Sequence, residues 1–121
     1  MLIKACSWNS IIELYARLIE KGWQYQPMLK LVHQLTTSPY ILNPSVTLLF
    51  PATSHEVLFI AATERFYRKT EVLEIQYSPR TQTFQFDFWE SGFIKQHWKR
   101  TSNTWDSFAV LERFLHLKRW A

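Results

Sequence analysis

The segment "TFQFDFW", residues 83–89, restricts the fold of this chain more than any other. Phe84, Phe86 and Phe88 alternate with Thr83, Gln85, Asp87 and Trp89, the two-residue period of a strand with one face in the core. Three phenylalanines on one face need a cover, so the least structure this stretch permits is a sheet with something packed on it. Four more stretches read as strands. "VTLLF" (46–50) is closed by Pro51, "EVLFIAAT" (56–63) is continuously apolar, "EVLEIQYS" (71–78) alternates through Leu73, Ile75 and Tyr77, and "FIKQHWK" (93–99) follows the phenylalanines. Their connections are short, which predicts an antiparallel meander.

The cover comes from both ends of the chain. "SWNSIIELYARLIEKG" places Trp8, Ile11, Ile12, Tyr15, Leu18 and Ile19 on one helical stripe, with Ser7 or Ser10 as the cap and Gly22 as the stop. "QPMLKLVHQLTTS" predicts a shorter helix with Pro27 at its first position and Met28, Leu31, Val32 and Leu35 on one face. Pro39 and Pro44 are expected to bracket an extended connection. "TWDSFAVLERFLHLKRWA" predicts a closing helix capped by Thr104, with Asp106 in its first turn and Lys118 and Arg119 near its end. The expected fold is therefore α+β: a curved antiparallel β-meander of four to five strands, with N- and C-terminal helices packed on one face, in a single domain over 1–121. A curved sheet wrapped by helices, as in cystatin-like domains, is the alternative; its central cavity could hold a small molecule.

The turn after Trp89 decides what the sheet shows to solvent. A two-residue loop at Ser91-Gly92 would put Lys95, His97 and Lys99 on the phenylalanine face. A three-residue loop, Glu90-Ser91-Gly92, has glycine third, where a left-handed residue is required, and Ser-Gly suits neither two-residue hairpin turn. The three-residue loop predicts Asp87 opposite Lys95, Gln85 opposite His97 and Phe84 opposite Trp98, with the bases away from the core. At the preceding turn, Pro79 begins a four-residue loop that sets Tyr77 opposite Phe84 and Val72 opposite Trp89.

Val72, Trp89 and Phe93 then form an apolar row on the face without helices, flanked by Lys95 and His97. These five residues are the candidate partner-binding surface. Either the row is open to a protein partner or a second copy, or the 64–70 loop or the N-terminal segment folds over it. A second candidate is a basic and aromatic surface for nucleic acid, using Arg65, Arg68 and Lys69 in "ERFYRK" and Lys99 and Arg100 in "KRTSNTW". Most of the net charge of +4 comes from the second half of the chain, but seven of the ten acids lie there too, which dilutes it.

Catalysis finds little support. The four histidines fall on separate elements, and one cysteine cannot supply the paired spacing of a zinc site. Cys6 and the serines lack a nucleophile motif, and two glycines cannot build a phosphate loop. Glu74 and Asp87 are expected neighbours, but Lys95 beside them makes an ion cluster. No catalytic residue, metal or cofactor is expected. The lone Cys6 and the lack of a signal peptide or a membrane-length apolar run predict a cytoplasmic protein without a membrane partner. The functional expectation is a non-enzymatic protein-binding module or homodimer using the open sheet face. Nucleic-acid association and small-molecule binding between sheet and helices are the alternatives.

Overall fold

The computed structural model describes residues 3–43, 47–66, 70–90 and 96–120. Strand β1 (Ile3–Lys4) leads into helices α1 (Trp8–Glu20), α2 (Gln26–Thr36) and α3 (Pro39–Leu42). Strands β2 (Phe50–Ser54), β3 (Val57–Ala61), β4 (Arg65–Phe66), β5 (Val72–Ser78), β6 (Thr83–Trp89) and β7 (Gln96–Asn103) follow, and helix α4 (Ser107–Leu117) comes last. Five strands form an open antiparallel sheet in the order β2-β3-β5-β6-β7, while β1 and β4 pair as a separate ribbon. The architecture is the α+β meander that the alternation of Phe84, Phe86 and Phe88 predicts. Among the described residues, no helix is long and apolar enough to cross a membrane.

Local chemistry accounts for the helix ends. The Ser7 hydroxyl accepts the Ser10 backbone N–H at 3.1 Å and caps α1. At the other end Gly22 sits at φ +94°, and Trp23 and Gly22 donate their N–H groups back to the Leu18 and Ile19 carbonyls, a Schellman stop. α4 ends in the same hydrogen-bond pattern with Arg119 at φ 58° in the glycine position. That turn brings Trp120 back against Phe114 and Phe88, at ring distances of 5.6 and 6.1 Å.

One face of the sheet carries Leu58, Ile60, Leu73, Ile75, Phe84, Phe86 and Phe88, all buried under α1, α2 and α4. The other face is apolar only toward β2, β3 and β5. There Ala52, Phe59, Ala61 and Val72 form a second cluster with Phe66 from the β1–β4 ribbon. Both edges of the sheet are blunted. In β2, Pro51 has no N–H and its carbonyl accepts the Cys6 N–H at 2.9 Å. In β7, Arg100 donates to the Lys99 carbonyl at 2.7 Å.

Four local expectations differ from the structure. The strand expected at 46–50 is β2, four residues later and running through Pro51, which an edge strand tolerates. The stretch after Pro39 is one helical turn, because Pro39 occupies the opening position of α3 after Ser38. Thr104 does not cap α4. Asn103 and Asp106 instead bond each other's backbone, and the helix begins at Ser107. Strand β7 also pairs four residues out of the expected register: Phe84 faces Ser102, Asp87 faces Lys99 and Phe88 faces Trp98. Packing outweighs turn preference here. In the observed register Trp98 and Phe88 both meet Phe114, at 5.0 and 5.1 Å, and the Asn103–Asp106 turn fixes where α4 departs. The slip is even, so Trp98 remains on the helix side. His97 is the extra residue where the ladder shifts between Phe88 and Trp89.

The β2–β3 hairpin stores strain. Its two-residue turn places His55 at φ 51° and Glu56 at φ 67°, a left-handed pair that normally calls for Asn-Gly. The Tyr15 hydroxyl, from the buried face of α1, donates to the Glu56 carbonyl at 3.0 Å and anchors the turn. Burial pushes the Tyr15 phenol well above its ordinary range, which keeps it a protonated donor. Replacing the pair together (H55N/E56G) is expected to stabilise the protein by about 1 kcal/mol in urea unfolding. An unchanged or lower midpoint contradicts strain at this turn.

Candidate functional site

One member of the expected apolar row, Val72, lies under other structure. Val72 does face Trp89, as the β5–β6 loop predicts. It is fully buried, however, against Phe66 and Phe59, so it offers nothing to a partner. The sequence alone left open whether the 64–70 stretch or the N-terminal segment covers this row. At Val72 it is covered: β1 pairs with β4, and Phe66 fills the space. Trp89 is half-buried, and its indole N–H donates to Glu74 at 2.9 Å. Phe93 and Lys95 lie outside the described residues. His97 belongs to β7 by its backbone. The rest of this face is polar. Gln85 donates to Asp87 at 3.0 Å and Gln76 donates to Glu74 at 3.3 Å. The lysine paired with Asp87 is Lys99, not Lys95.

The described candidate nucleic-acid residues lie on two separate elements. Arg65 is in the β1–β4 ribbon, whereas Lys99 and Arg100 are exposed on β7, the far edge of the main sheet. Arg68 and Lys69 lie outside the described residues. Lys99 and Arg100 are consecutive and therefore point to opposite faces. The Arg100 guanidinium stands 4.9 Å from the centre of the Trp98 ring, whose other neighbour is Phe114. That tryptophan is thus engaged by the protein itself rather than presented for stacking on a base.

A different surface combines an apolar recess with an exposed leucine. Between α3, the start of α1 and the approach to β2 lies a cleft of about 190 Å³ lined by Trp8, Tyr40, Ile41, Leu48, Leu49 and Phe50. A wider hollow of about 490 Å³ shares Trp8, Leu49 and Phe50 with it and continues past Cys6 and Pro51 to Glu64. The walls are fixed. The Trp8 indole donates to the Leu49 carbonyl at 3.3 Å. Tyr40 donates its hydroxyl to Glu112 at 2.7 Å, which binds α3 to α4. That bond is the main reason the Tyr40 phenol titrates above its usual range. Leu48, which lines the cleft, is 63% exposed, and Leu42, next to the wall residue Ile41, is 71% exposed. Every residue lining the smaller cleft is apolar or aromatic, so its chemistry is desolvation rather than proton or electron transfer. Cys6 does not change this. Burial raises its thiol pKa and keeps it protonated at neutral pH.

Leu42 and Leu48 escape a reading of the sequence because they stand in "ILNPSVTLLF", where prolines suggest a connector and the apolar run suggests a buried strand. The usable signal was a surplus of leucine and isoleucine beside Pro44, too many for a solvated link. No family model matches the chain, and neither a curated protein nor a solved structure is similar to it. The site therefore rests on its own geometry.

Burial of Val72 sets an expectation opposite to that for an interface residue. Val72→Ala should lower stability by about 2 kcal/mol in chemical denaturation, while Lys99→Ala should stay within about 0.5 kcal/mol of the parent. A neutral Val72→Ala contradicts the covered second cluster.

Proposed function

We propose that this chain is a non-enzymatic protein-binding module whose partner is a second copy of itself, docked through the cleft between α1, α3 and β2. One observation carries the reading: Leu48, 63% exposed, lines a cleft with apolar walls, and Leu42 stands in solvent one residue beyond its wall residue Ile41. Exposed leucine singly needs no explanation, but leucines beside an apolar recess are the anatomy of an interface core. The patch holds both a projection and a recess, so a twofold arrangement lets each copy's Leu48 enter the other's cleft. Strand-to-strand pairing at this edge is disfavoured by Pro51 and by the Cys6 N–H on its carbonyl, which leaves side chains to make the contact. A free thiol at Cys6 suits a reducing compartment, and the cytoplasm is the setting this reading assigns.

Sedimentation or light scattering across a concentration series tests the proposal. The expected result is a dimer that Leu48→Glu converts to monomer, with the folded circular-dichroism spectrum unchanged because Leu48 is exposed. A monomer at every concentration, or a dimer that survives both Leu42→Glu and Leu48→Glu, contradicts it.

A further inference from the structure

Beside the apolar cleft, α4 carries a polar cluster. Phe108, Glu112 and His116 recur every four residues and so lie along one stripe of the helix. Leu111, Phe114 and Leu115 of the same helix are buried in the core and fix how that stripe is presented. Tyr40, from α3, lies along it. Its ring stands 6.5 Å from Phe108 and 5.8 Å from the His116 ring, which it meets at 80°.

Three donor atoms converge there. Tyr40 Oη donates to Glu112 Oε2 at 2.7 Å and stands 3.2 Å from His116 Nε2. The phenol has one proton for two neighbours. Glu112 takes it, so His116 completes the group only by supplying a proton of its own. The imidazole is exposed and Glu112 is half-buried, so water reaches the group. Hydrogen bonds that exchange with water contribute little to stability, so folding alone does not call for this convergence.

A divalent ion would take the place of the shared proton and engage all three donors, and the donor set narrows which ion. Imidazole nitrogen suits zinc, copper and nickel, and carboxylate oxygen joins it in zinc sites. Magnesium and calcium take oxygen throughout. A carboxylate and an imidazole four residues apart share a helix face, the spacing by which helical sites hold an ion between successive turns. With bonds of about 2.0 Å to a tetrahedral ion, neighbouring donors stand about 3.3 Å apart. The Tyr40–His116 separation already has that size, and the Tyr40–Glu112 separation must open by about 0.6 Å, within the reach of a glutamate rotamer. Among the described residues no further His, Cys, Asp or Glu joins the group, so water completes the shell. We propose that Glu112 and His116, with the Tyr40 hydroxyl, bind a zinc-type divalent transition ion that ties α3 to α4. The carboxylate and Nε2 bind the ion directly, and the neutral Tyr40 hydroxyl supplies the third protein donor with its proton turned to water. The sequence expectation of no metal weighed only pairs of histidine and cysteine, and a phenol from another helix leaves no spacing to read. The site needs no second copy of the chain, so it stands apart from self-association through Leu48.

Calorimetric titration of the full chain with zinc chloride, joined to NMR of the imidazole nitrogens, tests the site. One equivalent of zinc should saturate the protein at micromolar concentration and shift the His116 Nε2 signal alone among the four histidines. Magnesium at equal concentration should shift none. His116→Ala and Glu112→Gln should each weaken zinc binding by more than about tenfold, and Tyr40→Phe by about tenfold. Folded circular-dichroism spectra should be unchanged, since His116 is exposed and glutamine keeps an oxygen for the Tyr40 hydroxyl. Three results overturn the proposal: no saturable binding below millimolar zinc, full affinity retained by His116→Ala, or magnesium that competes with zinc at equal concentration.

Discussion

The contact on which most of the structure depends is the aromatic triangle of Phe88, Trp98 and Phe114. It joins three elements at once. Phe88 is on β6, Trp98 is its partner on β7, and Phe114 comes down from α4 to within 5.1 and 5.0 Å of them. Trp120 closes the cluster from beyond the helix end, and Lys118 lies over the Phe88 ring at 4.5 Å while pairing with Glu71 at 2.9 Å. Aromatic pairs of this kind contribute about 1 kcal/mol each beyond the area they bury. Because the triangle fixes which β7 residue faces Phe88, it sets the strand register. The register then places Lys99 across from Asp87 and decides which side chains solvent sees.

A chain with only two glycines must take its sharp turns with other residues. His55, Glu56, Gln82 and Arg119 all adopt positive φ. Tyr15 bonds the carbonyl of Glu56. The Ser78 carbonyl accepts the Gln82 N–H at 2.8 Å. Trp120, packed in the core, keeps the chain turned at Arg119. Tertiary contacts supply what turn propensity lacks, so these turns are sites where local and global preferences disagree.

That disagreement separates what the sequence reveals from what it hides. The β5–β6 hairpin was legible in full, from Val72–Trp89 to Ser78–Thr83, because alternation and Pro79 point to the same pairing. The stripes of α1 and α2 were legible for the same reason, since Ile11, Tyr15, Met28 and Leu31 are buried where the period puts them. The β6–β7 register was not, because glycine at the expected loop argues for one pairing and the fit of Trp98 beneath Phe114 imposes another. The β1–β4 ribbon was illegible too. Two-residue strands carry no period, and only the burial of Phe66 reveals its role. Of the expected site, the pairing of Val72 with Trp89 was legible, and the question the sequence left open, whether something covers the row, is answered at Val72 by Phe66. Leu42, Leu48 and Trp105 stand exposed, residues that propensity would hide or dismiss as loop.

The helix-free sheet face is sealed at Val72 by the ribbon and polar from Glu74 to Lys99. The placement of the cleft wall follows from the triangle, since α4 positions Glu112 to hold Tyr40 in the apolar cleft, and the Asn103–Asp106 turn that starts α4 projects Trp105. The interstrand NOE pattern of β6 and β7 tests this most directly. Contacts linking Gln85 to Thr101 and Phe86 to Arg100 are the result the account predicts. Contacts linking Gln85 to His97 and Phe84 to Trp98 would mean that the turn, not the aromatic packing, sets the register, and would contradict it.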